Sequence, residues 1–154
     1  MTKKDTWVWP KKDRAIKACV VILESEMRKW MQLPGAVFVP VPPSKTKSHA
    51  EYDDRMLQIL RMASARGSLN ADIREIVRQR KDMTPSHLGG TRNIGKLIQN
   101  YEINESCAKP PPKLAIIVDD LVTTGAHFKA MQSVLIKRFG QIKTLGLFVG
   151  RRIR

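Results

Sequence analysis

The sequence predicts an α/β fold with a mainly parallel central sheet. Three observations carry that expectation. Leu114-Ala115-Ile116-Ile117-Val118 is an unbroken apolar run, the pattern of a strand buried on both faces. A helical stripe at residues 128–139 and a second strand-like run at 144–149 follow it, giving a strand–helix–strand unit. A helix and a strand occupy the first forty residues, so α and β segments alternate along the whole chain.

Each element has its own signal. Ile16, Cys19, Val20, Leu23, Met27 and Trp30 recur at three- and four-residue spacing, which makes residues 11–32 a helix with one apolar face, stopped by Pro34-Gly35. Residues 36–39 read as a short buried strand closed by Pro40 and Pro42-Pro43. Ser48 and Glu51 form a capping box for a second helix, with Tyr52, Met56, Ile59, Leu60 and Ala63 as its apolar face and an end near Gly67. Residues 71–83 fit either a helix, through Ile73, Ile76 and Val77, or a strand at 77–80. Thr84-Pro85 is a helix-entry pair, soon interrupted by Gly89-Gly90, and 94–101 is expected to be helical. Pro110-Pro111-Pro112 is an extended spacer that leads into the apolar run. In the strand–helix–strand unit, Phe128, Met131, Leu135 and Phe139 share one helix face, and Gly140 stops it.

Composition bounds the class. With 154 residues the chain is expected to form one domain, 1–154, with residues 1–10 a flexible arm. A chain of that size buries about 68–70% of its unfolded surface and needs no disulfide or metal to hold a core. The hydrophobic fraction is 42% and the charged fraction 27%, which argues against wholesale disorder. No apolar stretch is long enough to span a bilayer, and the N-terminus lacks the features of a secretory signal. Cys19 and Cys107 are too far apart for zinc spacing, and a reducing cytoplasm is the expected compartment. The net charge of +14, from 28 Lys and Arg against 14 Asp and Glu, points to polyanionic partners: nucleic acid, an acidic surface or a phosphorylated small molecule.

The chemistry concentrates at residues 119–127, Asp-Asp-Leu-Val-Thr-Thr-Gly-Ala-His. In open α/β sheets ligands bind beyond the carboxyl ends of the strands, which is where this segment lies. The following helix offers N–H groups and a dipole that favour phosphate, Thr123 and Thr124 offer hydroxyls, and Gly125 removes a Cβ from the approach. The acidic pair Asp119-Asp120 would repel phosphate, so it suits another part of the ligand, a sugar diol or a magnesium-bound sugar. One ligand carrying a terminal phosphate and a ribose diol accounts for every residue of the segment.

The run IIVDDLVTTGAHF closely resembles the 5-phosphoribosyl-1-pyrophosphate (PRPP) motif of type I phosphoribosyltransferases. VFVPVPPSK is similar to that family's first strand and pyrophosphate loop, and Arg92-Asn93 and LGLFVGRR are similar to segments of its ComF-like branch. The resemblance implies a three-layer, Rossmann-like phosphoribosyltransferase fold and a magnesium-dependent transfer from PRPP to a nitrogen acceptor, a nucleobase, with release of pyrophosphate. It assigns Asp119 and Asp120 to the ribose diol and the metal, and Thr123, Thr124, Gly125, Ala126 and His127 to the 5′-phosphate. It assigns Ser44 and Lys45 to pyrophosphate, and Arg80, Lys81 or Arg92 to a mobile loop over the site. It also implies a homodimer. The chain departs from the pattern at His127, where a threonine is usual, and it has no four-cysteine zinc module; Glu51-Tyr52-Asp53-Asp54-Arg55 replaces a branch-specific stretch. His127 is either a phosphate donor or a histidine that merely starts the helix.

Competing motifs are weaker. Residues 90–97 nearly match a nucleotide-binding P-loop, but Leu97 stands at the magnesium-binding hydroxyl position and no apolar strand precedes Gly90. His49 and His87 have no ligand-spaced neighbours and read as surface residues. Trp7 and Trp9 among lysines suit nucleic-acid stacking or simple packing. A second function class therefore stands beside the enzyme: a PRPP-sensing or catalytically degenerate protein, ComF-like and linked to DNA uptake or processing, that binds nucleic acid through its basic surface.

Overall fold

Side-chain alternation along two neighbouring strands divides the molecule into layers. A computed structural model of the chain describes residues 9–85 and 88–151. The elements run α1 (Trp9–Trp30), β1 (Ala36–Pro40), α2 (Arg55–Arg66), β2 (Val77–Gln79), α3 (Ile94–Asn100), β3 (Tyr101–Ile103), a short 3-10 turn (Glu105–Cys107), β4 (Leu114–Val122), α4 (Ala126–Phe139) and β5 (Lys143–Arg151). Strands β1, β4 and β5 form a parallel sheet in that order, with β4 in the centre. Strands β2 and β3, with α3 between them in the chain, form a separate two-stranded antiparallel sheet.

Successive strand residues point to opposite faces, so a central strand covered on both sides must be apolar throughout. Val37, Val39, Ala115 and Ile117 pack on one face with Ala130, Met131, Val134 and Leu135 of α4, and with Leu97 and Tyr101. Phe38, Ile116 and Val118 pack on the other with Val20, Leu23 and Met27 of α1 and Ile59, Leu60 and Ala63 of α2. The expected three-layer α/β architecture follows: α1 and α2, the parallel sheet, then α3, α4 and the β2–β3 sheet.

Several local expectations need correction. The Ser48–Glu51 capping box does not form. Ser48 pairs its hydroxyl with that of Thr46, the Glu51 N–H goes to His49 Nδ1, and α2 starts only at Arg55, after Asp53 has accepted the Arg55 N–H at 3.0 Å. Tyr52 therefore precedes the helix, and its hydroxyl reaches Glu75 at 3.3 Å. The ambiguous 71–83 stretch contains strand β2, because Arg78 and Glu102 pair across β2 and β3 and Gln79, though buried, is satisfied by Asn100 at 2.6 Å. Residues 86 and 87, which follow the Thr84-Pro85 pair, lie outside the described residues, and α3 is capped by Asn93, which accepts the Lys96 N–H at 3.0 Å. Tyr101, expected in that helix, starts β3 instead. Of the expected flexible arm, residues 1–8 lie outside the described residues, and Trp9 and Pro10 already belong to α1. His87 and Trp7 also lie outside them.

Among the described residues no helix is long and apolar enough to cross a membrane. Phe38 is fully buried between α1 and α2. Phe38→Ala is expected to lower unfolding stability by about 3–5 kcal/mol in urea titrations, and a loss under about 1 kcal/mol would contradict this packing.

Candidate functional site

β4 is longer than its apolar run. It continues through Asp119, Asp120, Leu121 and Val122, still paired to β5 as far as Arg151. The acidic pair, expected in a loop, is therefore held on a strand in the sheet, which fixes its direction. Asp119 is half-buried and Asp120 exposed, and alternation sends the two to opposite faces of the sheet. The Asp120 N–H donates to Asp119 Oδ1 at 2.9 Å. Burial first, and then the neighbouring charge of Asp120, push the Asp119 carboxyl up to about 7.

The turn 123–125 then enters α4. Gly125 is the N-cap, at φ 76°, a left-handed conformation that other residues reach only with strain. A Cβ there would meet nothing within 4 Å, so the demand on Gly125 is conformational rather than the steric one expected from sequence. No side chain caps α4 at this residue, and Thr124 Oγ1 lies a long 3.4 Å from the Ala126 N–H. The first-turn N–H groups thus keep their capacity for an anion.

His127 is the second residue of α4. Its Nδ1 lies 2.8 Å from the hydroxyl of Tyr101, a residue only 2% exposed. Burial, and secondarily the charge of Asp119, push the Tyr101 phenol well above its ordinary range, so the hydroxyl keeps its proton and shares a hydrogen bond with Nδ1. Burial, then Arg92, lower the His127 imidazole, while Asp120 pulls the other way. The balance favours the neutral ring of His127. Nothing in the sequence pairs Tyr101 with it; the two lie 26 residues apart and meet only because β3 packs beside α4.

Asp119, Thr123, Gly125, Ala126, His127 and Phe148 line a small recess that is open to solvent. It is too shallow to enclose a ligand by itself. Phe148 stands opposite Asp119 in the sheet register and meets Phe128 edge-on at 6.1 Å. Gly146 makes this possible, since a Cβ there would come within 2.7 Å of the Phe148 ring. The chain after β1 starts at the same sheet end: the Val41 N–H donates to the Val118 carbonyl at 2.9 Å and leads to Ser44 and Lys45.

The basic residues expected over the site separate. Arg92 is half-buried and acts electrostatically on His127. Arg80 is ion-paired with Glu102 at 3.3 Å, and the Lys81 backbone is clamped by Asn100. Cys19, half-buried on α1, senses Asp120, and burial and that charge raise its thiol. Among the described residues no group of three or more His, Cys, Asp or Glu side chains assembles for a metal. The Asp119-Asp120 pair still suits a magnesium ion, which commonly takes one or two carboxylates and completes its shell with substrate oxygens and water. The weaker P-loop match at residues 90–97 has no strand leading into Gly90 among the described residues, and Asn93 there serves as a cap.

The sequence matches no protein-family model and no curated protein. Among solved structures, two crystal forms of a hypoxanthine phosphoribosyltransferase from Staphylococcus aureus are similar, at 13% identity and TM-scores of 0.49 and 0.48. The alignments cover 90% and 89% of this chain and 73% and 72% of those. A likeness at that level decides nothing by itself, and the functional reading rests on the site.

A carboxyl raised by folding stabilises the protein below its unfolded value, and that contribution is lost as pH rises through the folded one. Asp119→Asn is therefore expected to unfold at higher urea than the parent at about pH 8, by about 1 kcal/mol or more, with the gap closing by about pH 4. Equal midpoints at both values would contradict the buried, charge-opposed setting of Asp119. Tyr101→Phe is expected to cost about 1 kcal/mol, and an unchanged urea midpoint would show the Tyr101–His127 bond to be idle.

Proposed function

We propose that the chain is a magnesium-dependent phosphoribosyltransferase that moves the phosphoribosyl group of PRPP to a ring nitrogen of a nucleobase and releases pyrophosphate. The observation that carries this reading is the junction of β4 and α4. There the strand-borne carboxyl of Asp119, with Asp120 next to it along β4, and a helix N-terminus without a side-chain cap meet at one recess. The two halves prefer opposite charges, and PRPP presents both kinds of group at the spacing of one sugar.

In this reading the N–H groups of Gly125, Ala126 and His127, the hydroxyls of Thr123 and Thr124, and the His127 ring receive the 5′-phosphate. Asp119 and Asp120 take the ribose hydroxyls. As the bond from the anomeric carbon to pyrophosphate breaks, positive charge grows on the ribose, and the two carboxylates are already placed to stabilise it. A neutral His127 matches that need, since a cation beside the developing charge would oppose it. Ser44 and Lys45 hold the departing pyrophosphate, and magnesium, when bound with it, neutralises its charge. The Phe148 ring at the recess offers an apolar face for a planar acceptor. Arg92 is the strongest of the three loop candidates, because it alone acts on a residue of the phosphate loop.

The net charge of +14 exceeds what one phosphorylated ligand requires, and it motivates the second reading, a PRPP-sensing protein that binds nucleic acid. Steeply salt-dependent retention of DNA or RNA without turnover would favour it. The enzyme reading is tested by pyrophosphate release from PRPP across a panel of nucleobases. Asp120→Asn is expected to abolish release, a loss of at least about 100-fold, while the protein stays folded, because Asp120 is exposed. Full activity in that variant would overturn the assignment.

A further inference from the structure

The turn that follows β1 already holds an anion, and the anion belongs to the chain itself. Asp82, on the segment after β2, places Oδ1 2.6 Å from the Thr46 N–H. The Thr46 hydroxyl also supports this carboxylate, and His49 and Lys45 lie close enough to favour its charge; together they hold it below the usual carboxylate range, the backbone N–H acting most strongly. His49 accepts the Glu51 N–H on Nδ1 at 3.0 Å, so its Nε2 carries the ring proton. A backbone N–H, a hydroxyl, an ammonium and an imidazole around one carboxylate make an anion-binding turn. Lys47 is not part of it, being paired with Glu75 at 2.9 Å.

The segment bearing Asp82 is fastened on both sides. Asn100 clamps Lys81, and the Met83 N–H donates to the Ser44 carbonyl at 2.7 Å. Asp82 is thereby presented to the turn by its backbone rather than by chance contact of a long side chain. A neutral side chain would make the same hydrogen bond to Thr46, so hydrogen bonding alone does not explain the charge.

We infer that Asp82 is a built-in competitor for pyrophosphate on the Lys45–Thr46–His49 turn. Thr46 and His49 join Lys45 as binding groups, and a phosphoryl oxygen must displace the Asp82 carboxylate to reach them. This inference rests on the phosphoribosyltransferase reading and adds to it a residue that weakens ligand binding. Displacement removes one tie between the turn and the segment bearing Asp82, the Met83–Ser44 hydrogen bond remaining.

The test is calorimetric titration of the full chain with inorganic pyrophosphate and magnesium, and separately with ribose 5-phosphate. Asp82→Asn and Asp82→Ala are expected to bind pyrophosphate about fivefold or more tightly than the parent, the scale of one nearby like charge removed from an exposed site. Ribose 5-phosphate affinity should not change. Asp13→Asn, which removes an exposed carboxylate from α1, controls for net charge and should leave both affinities alone. Pyrophosphate affinity that is unchanged or weaker in both Asp82 variants, with ribose 5-phosphate still bound, would overturn the inference and leave the phosphoribosyltransferase reading standing. Failure of the parent and both variants to bind either ligand would defeat the reading and the inference together.

Discussion

Pairing of β4 on both of its edges is the constraint on which the site depends. β1 and β5 hold its backbone in register from Leu114 to Val118, where helices cover both of its faces, and β5 alone carries the pairing on to Val122. That pairing fixes the direction of the strand's end. Asp119 is thus carried toward the interior with its charge incompletely solvated, beside a second carboxylate that points outward. The cost is a destabilised native state at neutral pH. The return is a carboxylate pair that needs no reorganisation when a positive charge appears beside it.

The surroundings divide the work by sign. Toward α4, the groups facing the recess are backbone N–H donors, hydroxyls and an imidazole kept neutral by burial and by Arg92. Toward the sheet, it is the Asp119 carboxyl. Tyr101 connects the two regions, since it holds the His127 ring and also feels Asp119. The turn at Lys45 and Thr46 extends the anion-favouring side, with Asp82 occupying it. The β2–β3 sheet contributes to both places: Tyr101 opens β3, and the segment bearing Asp82 leaves β2.

Much of this was legible in the sequence. The apolar run at 114–118 announced a doubly covered strand because burial on both faces leaves no room for alternation. The residues Asp119 to His127 were legible because so many chemistry-bearing side chains seldom fall in order by chance. What stayed hidden depends on tertiary pairing. The extension of β4 through Asp119 and Asp120 is set by β5, not by local propensity. The Ser48–Glu51 capping box was a sound local pattern, but the hydroxyl of Thr46 and the ring of His49 took its groups first. Tyr101 and Asp82 carry no motif, and they reach the site only because the β2–β3 sheet folds over the parallel sheet's carboxyl end.

The central claim is that one ligand with a terminal phosphate and a ribose diol fills the junction of β4 and α4. Calorimetric titration of PRPP with and without magnesium tests it most directly, beside a double variant, Asp119→Asn with Asp120→Asn. The account predicts binding that magnesium strengthens and that the double variant loses while remaining folded. A folded parent protein that fails to bind PRPP under either condition, or a double variant that binds as well as the parent, would contradict it.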